Sequence, residues 1–187
     1  MNLPNQITLG RFFGAVALFV VLAGLPATQP ARANLGLLGV WLFVLTAGSD
    51  FLDGWLARHL KQLTVFGRMA DAFVDKVLIC GALTFLCALP ETTAMVPPWS
   101  VVVVITREFM VTGIRGVVEA QGRPFPADRL GKLKLVTQAV AVGAFLALVA
   151  GWTWTTNIGI VSYWLSVVLT LLSGCNYVWK ARDVFSV

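Results

Sequence analysis

The sequence predicts an all-α integral membrane protein with six transmembrane helices, and three observations carry that prediction. Of 187 residues, 58% are hydrophobic and 12% charged, against about 45–50% and about 25% in soluble domains. The apolar residues gather into six stretches, each close to the roughly 20 residues that a bilayer-crossing helix needs. The basic residues between those stretches fall almost entirely on alternate sides. A mean hydropathy of +0.82 excludes a disordered chain, a disulfide-stapled secreted scaffold and a water-soluble enzyme. Strict polar/apolar alternation is missing, which excludes a membrane β-barrel.

The spans are expected at about 7–25, 35–58, 66–89, 99–121, 133–151 and 158–178, within one domain covering 1–187. A short polar lead, Asn2-Leu3-Pro4-Asn5, is expected to lie along the membrane surface as an interfacial segment. That lead, and the five spans that follow, make the first span a retained helix rather than a cleaved leader. Pro26 and Pro30 close the first span, Pro90, Pro97 and Pro98 separate the third from the fourth, and Pro124 and Pro126 follow the fourth.

Arg11 precedes or opens the first span on one side of the membrane. The second loop and its margins carry Arg58, Lys61 and Arg68, the fourth carries Arg123, Arg129, Lys132 and Lys134, and the tail carries Lys180 and Arg182. The opposite side has Arg32 alone. The positive-inside rule then puts both termini in the cytoplasm. The net charge of +5 therefore reads as topology, and no nucleic-acid partner is expected. Cys80, Cys87 and Cys175 sit in apolar stretches and are expected to be buried packing residues, without disulfides or metal-ligand spacing. The tryptophans lie mostly near span ends, as interfacial belts require. Gly14, Ala15 and Gly36 permit close helix approach, and Asn176 and Tyr177 are expected to bond between helices.

The informative region is 49–76. Asp50 and Asp53 fall near the end of the second span, Asp71 and Asp75 near the start of the third, and these are four of the nine acidic residues. Each charge inside a spanning helix costs at least about 2.5–3.5 kcal/mol, so they need compensation. Asp50 and Asp53 are i,i+3, Gly54 and Ala57 continue the stripe, and Asp71 and Asp75 are i,i+4. The short loop between the helices predicts antiparallel neighbours whose acidic stripes face each other at one depth. Hard oxygen donors without His or Cys select Mg²⁺ or Mn²⁺, and two such ions would form a clamp suited to phosphoryl chemistry. Gly54 and Ala57 leave room for a phosphate, and Arg58 offers it a cation. Two other readings stay open at this point. The acids can pair with Arg58, Arg68, Lys61 and Lys76 to fix packing, or line the cation pathway of a transporter.

The fourth span contains Arg107, Glu108 and Arg115, and Lys132 and Lys134 open the fifth. Arg107, Val111 and Arg115 recur at i+4, so both arginines face one way and can grasp an acceptor phosphate. The alternative is a salt link from Glu108 to Arg107 or another basic residue, with Lys132 and Lys134 snorkelling to the interface. His59 reads as a solvated helix cap.

Asp50-x-x-Asp53-Gly54-x-x-Ala57-Arg58, eight residues, then Gly67-x-x-x-Asp71-x-x-x-Asp75 resembles the complete signature of the CDP-alcohol phosphotransferases, at all eight fixed positions and both gaps. At average amino-acid usage such a match arises about once in 10¹⁰ starting positions. The resemblance implies an integral membrane enzyme that cleaves the diphosphate of a CDP-linked alcohol, passes the phosphoryl-lipid unit to an alcohol and releases CMP. It implies Asp50, Asp53, Asp71 and Asp75 as ligands of two Mg²⁺ or Mn²⁺ ions, with Asp75 also the general base. It implies Asp50, Gly54, Ala57, Arg58 and Gly67 as the CDP-binding surface. The lead Asn2-Leu3-Pro4-Asn5-x-x-Thr8-x-x-Arg11 also resembles the family's amino-terminal segment, which adds Asn5 and Thr8 to that surface. The plainer reading of the lead is capping by Asn5 or Thr8 and interfacial anchoring by Arg11.

Arg107-Glu108-Phe109 … Gly113-Ile114-Arg115, followed by Gly131-Lys132-Leu133-Lys134-x-x-Thr137-Gln138, is similar to the branch of that family that transfers phosphatidyl from CDP-diacylglycerol to sn-glycerol 3-phosphate. Leu135 stands where that branch more often has Thr. The expected partners are these two substrates, membrane lipids and a second copy of the chain, in a bacterial inner membrane with the site facing the cytoplasm. Other acceptors (inositol phosphate, serine, phosphatidylglycerol) and a cation-coupled transporter are the competing functions.

Overall fold

The computed structural model describes the backbone of residues 3–60, 65–120 and 129–182, and the side chains of 6–49, 67, 69–118, 130–180 and 182. Apolar runs punctuated by proline form long helices here because each run satisfies its own backbone. The described elements are α1 (Leu3–Ala23), α2 (Ala31–Leu60), α3 (Val65–Leu86), α4 (Pro98–Ala120), α5 (Arg129–Val149), a 3-10 turn (Thr153–Thr155) and α6 (Thr156–Ala181). Pro98 opens α4, where its missing N–H would have no helical partner anyway. Past the end of α5, Gly151 takes a left-handed conformation with φ +96°, the usual way a helix is stopped.

Among the described residues, four helices are long and apolar enough to cross a membrane: Gln6–Ala23, Ala31–Ser49, Leu130–Val149 and Thr153–Lys180. α3 and α4, of 22 and 23 residues, reach about 33–35 Å at 1.5 Å per residue but carry clustered charges. From Leu3 onward the backbone of the polar lead is the first turn of α1, where Pro4 is tolerated because its missing N–H would have no helical partner.

α1 packs along α2 and α3, α5 along α6 and α2, and α4 along α6, while α2 and α3 touch each other only slightly. α2 and α3 are in contact, and among the described residues α1 also lies against both. The core is Leu18, Leu78, Leu83, Leu86, Val142, Phe145, Leu146 and Tyr163, all fully buried. Val20, Leu45 and Val161 are about two-thirds exposed, as expected of side chains that face lipid.

The small residues are spent inside this bundle. A Cβ on Gly36 would sit 2.8 Å from the Ala150 nitrogen, so α2 crosses α5 there at backbone contact. A Cβ on Gly14 would sit 2.5 Å from the Thr46 hydroxyl, fixing the α1–α2 crossing next to Arg11. Ala15 is wholly buried. The cysteines differ from expectation. Cys175 is exposed, and Cys80 and Cys87 are half-buried, because α6 and α3 turn those positions toward the outside or toward a cavity.

Candidate active site

Arg11 is a single charge within an apolar helix, and such a charge must find a partner or leave the bilayer. It stays: 2% of it is exposed. Its Nη1 donates to Asp71 Oδ1 and its Nη2 to Asp75 Oδ1, both on α3, and its Nε donates to the Thr46 carbonyl of α2 at 3.3 Å. Arg11 is therefore no interfacial anchor. The i,i+4 spacing of Asp71 and Asp75 stacks their carboxylates one turn apart, and one planar fork meets both. Arg11, a cation the reading of the acids had left out, thus pairs with both of them. The signal was in the sequence: the logic that flagged the four acids applies equally to Arg11 within the first apolar run.

Asp50, Asp53, Gly54, Ala57 and Arg58 occupy the last three turns of α2, and their side chains lie outside the described residues, as does that of Asn5. Along the helix axes, Asp50 and Asp53 stand about 15 and 10 Å from Leu60, and Asp71 and Asp75 about 9 and 15 Å from Val65. The two pairs thus lie at matching distances from the connection between α2 and α3. Thr8, one turn before Arg11, is buried, and Gly67, one turn before Asp71, is half-buried.

Next to this charge cluster is a cavity of about 310 Å³ between α3, α4, α5 and α6. Asp75, Lys76, Arg107, Arg115, Lys132 and Lys134 all line it. Five positions proposed separately from the sequence as base and phosphate ligands (Asp75, Arg107, Arg115, Lys132 and Lys134) thereby share one chamber. Arg107 is buried, donates to the Ser173 hydroxyl of α6 at 2.7 Å, and stacks 5.5 Å from the Tyr177 ring centre. Arg115 donates to the Tyr177 hydroxyl at 3.2 Å. Tyr177 thus bonds between helices as expected, and it also lines the cavity. Glu108 accepts from Lys134 and, at 3.5 Å, from Arg107. Lys134 is 3% exposed, so it does not snorkel; exposed Lys132 sits at the rim. Asp75 and Glu108 are the acids of the lining against Lys76, Arg107, Arg115, Lys132 and Lys134, so the lining carries an excess of positive charge.

The donor set fits a divalent cation. Asp71 and Asp75 point oxygen atoms into one niche where they share a guanidinium, and carboxylate oxygens without imidazole or thiolate suit Mg²⁺ or Mn²⁺ rather than zinc. Among the described residues no cluster of three or more His, Cys, Asp or Glu assembles.

A helical membrane protein whose paired carboxylates adjoin an anion-ready chamber has the parts of a phosphoryl-lipid transferase. The chain belongs to the CDP-alcohol phosphatidyltransferase family, which it matches over residues 1–172. It is 34% identical to a Bacillus subtilis protein named CDP-diacylglycerol–glycerol-3-phosphate 3-phosphatidyltransferase, covering 96% of this chain and 94% of that one. A Rickettsia typhi protein of the same name is 30% identical over 98% of this chain and 99% of its own. A Mycobacterium tuberculosis protein named probable phosphatidylglycerophosphate synthase is 35% identical over 98% of this chain and 83% of its own.

Proposed function

We propose that this protein transfers the phosphatidyl group of CDP-diacylglycerol to sn-glycerol 3-phosphate, giving phosphatidylglycerophosphate and CMP. The observation that carries the reading is the shared chamber, in which a carboxylate able to take a proton and several cations able to hold a phosphate line one wall-to-wall space. The names of the relatives point to the same two substrates.

In this reading Asp50, Asp53, Asp71 and Asp75 would hold two Mg²⁺ or Mn²⁺ ions, which supply neutralisation of the donor's diphosphate. Gly54, Ala57, Arg58, Gly67, Asn5 and Thr8 form the surface for the CDP moiety. Arg107, Arg115, Lys132 and Lys134 grip the acceptor's phosphate. Arg11 fixes the orientation of the Asp71 and Asp75 carboxylates. Asp75 accepts the proton of the acceptor's hydroxyl, whose oxygen bonds to the phosphorus that carries diacylglycerol. The bond from that phosphorus to the CMP oxygen breaks, and CMP departs against Arg58.

The same reading makes 1–187 one domain, with all six helices crossing the membrane. α3 and α4 supply Leu78, Leu83 and Val104 to the core shared with the four apolar helices, which supports that arrangement. The basic residues then put both termini, and the chamber, on the cytoplasmic side of a bacterial inner membrane. A homodimer is part of the proposal.

Purified protein given radiolabelled CDP-diacylglycerol is expected to release CMP with glycerol 3-phosphate, and not with serine, inositol phosphate or phosphatidylglycerol. EDTA is expected to abolish turnover, and added Mg²⁺ or Mn²⁺ to restore it. Turnover that persists in metal-free membranes sinks the metal clamp; absence of CMP with every acceptor sinks the enzyme.

A further inference from the structure

Several polar groups line the chamber without work in the proposed reaction, and one of them, an amide, is both buried and unpaired. Gln138 lies on α5 one turn beyond Lys134, lines the cavity and is 1% exposed. Its Nε2 has no hydrogen-bond partner among the described residues. A buried amide left unpaired carries its full desolvation penalty, and buried polar groups in native proteins are nearly always met by protein, water or ligand. Packing does not explain it either. Its neighbours along the helix, Ala141 and Val142, are fully buried and apolar, and a leucine of similar volume would serve them better. Ile79, Cys80 and Val111 complete the same wall of the cavity.

In the proposed reaction Arg107, Arg115, Lys132 and Lys134 face a phosphate and Asp75 faces the attacking hydroxyl. A three-carbon acceptor phosphate has one polar group left over, the hydroxyl on the carbon between those two ends. A primary amide offers both a donor and an acceptor, so it can bond a hydroxyl in either sense. At about 310 Å³ the cavity is at the small end of ligand sites, which suits a small polar acceptor rather than a lipid.

We propose that Gln138 is a specificity-determining residue whose side-chain amide hydrogen-bonds the acceptor's spectator hydroxyl, the one next to the hydroxyl that attacks. This rests on the reading that glycerol 3-phosphate is the acceptor. A site built to bond a substrate hydroxyl rejects the analogue that lacks it, because its own polar group is then left unpaired.

The test compares two acceptors on the full-length protein in detergent with CDP-diacylglycerol and Mg²⁺: glycerol 3-phosphate, and 3-hydroxypropyl phosphate, which lacks only the middle hydroxyl. The wild type is expected to favour glycerol 3-phosphate by about 10–100-fold in kcat/KM. Gln138→Leu is expected to bring glycerol 3-phosphate down to within about 3-fold of the analogue and to leave the analogue's own value in place. Its thermal midpoint is expected to equal or exceed that of the wild type, because an unpaired amide has been removed. A lowered midpoint with the preference intact marks a structural amide and overturns the proposal. Wild-type protein that uses both acceptors equally well overturns it without any variant, so a poorly folding Gln138→Leu does not protect it; Gln138→Met is the second substitution. CMP release with neither phosphate, but with serine or inositol phosphate, overturns the acceptor assignment first and this role with it.

Discussion

Two ends of the helix bundle keep arginines out of water in contrasting company. Arg32, at the start of α2, meets Glu91 in the α3–α4 connection with Nε to Oε1 at 2.5 Å and Nη2 to Oε2 at 2.7 Å, while its Nη1 donates to the Pro26 carbonyl at 2.9 Å. One fork meets one carboxylate and one carbonyl, and each of its three nitrogens is used. The other end gathers Arg107, Arg115, Lys134, Asp75 and Glu108 around a void, with Arg11 and Asp71 joined to it through Asp75 and the shared guanidinium. Both arrangements bury charge at a cost. A closed one-to-one pair around no space ties two connections together; charges of both signs around an opening are arranged for something that is not protein.

Four substitutions or conditions break or sharpen that contrast. The largest effect belongs to Asp75→Asn, which is expected to lower kcat by about 10²–10⁴-fold and to weaken donor binding much less. CMP release and CDP-diacylglycerol binding measured side by side check it, and a fully active variant removes Asp75 from the role of base. Arg115→Ala is expected to raise the KM for the acceptor by about 10–100-fold, the worth of a charge-assisted hydrogen bond, with little change in thermal midpoint. Arg32→Ala is expected to do the reverse, costing about 1.5–3 kcal/mol of stability and leaving the acceptor KM alone. If Arg32→Ala shifts the KM as much as Arg115→Ala does, the two ends are not distinct.

The smallest effect is a pH dependence. The Arg32 hydrogen bond holds the Glu91 carboxyl below its usual value of 4.5, burial partly opposing it. A depressed folded value means that Glu91's contribution is complete above the unfolded value and fades as pH falls through the folded one. The thermal midpoint of the wild type is therefore expected to drop below about pH 4.5 by more than that of Glu91→Gln. Equal slopes for the two proteins deny the pair its role as a lock.

The all-helical class and the rough placement of the long helices were legible because an apolar run of bilayer length has few other uses. The expected start of the second span at 35 and the observed start of α2 at Ala31 differ by one turn, because Arg32, a charge that ought to mark a loop, is neutralised by Glu91. Which helices touch was not legible. A short α2–α3 connection says that the two helices run antiparallel, and nothing in it says that α1 lies against both. Pairings across long separations were equally hidden. Glu108 had plausible cations on its own helix and the next, and the fold pairs it with Lys134 and, at 3.5 Å, with Arg107. The chamber itself was half legible: its charges stood out against apolar surroundings, whereas nothing in the uncharged Gln138 and Tyr177 marked them as lining the same space. Asp50 and Asp53 remain as the sequence left them, positioned by helix register at the depth of Asp71 and Asp75.

The Arg11 contacts also bear on how the chain is made. Sixty residues separate Arg11 from Asp71, and ribosomes deliver the earlier one first. On the six-span reading, the counter-charge is already threaded into the bilayer when the third helix emerges, so its two acids meet a waiting partner instead of bare hydrocarbon. The first helix then serves the third as an insertion template before it serves the finished enzyme.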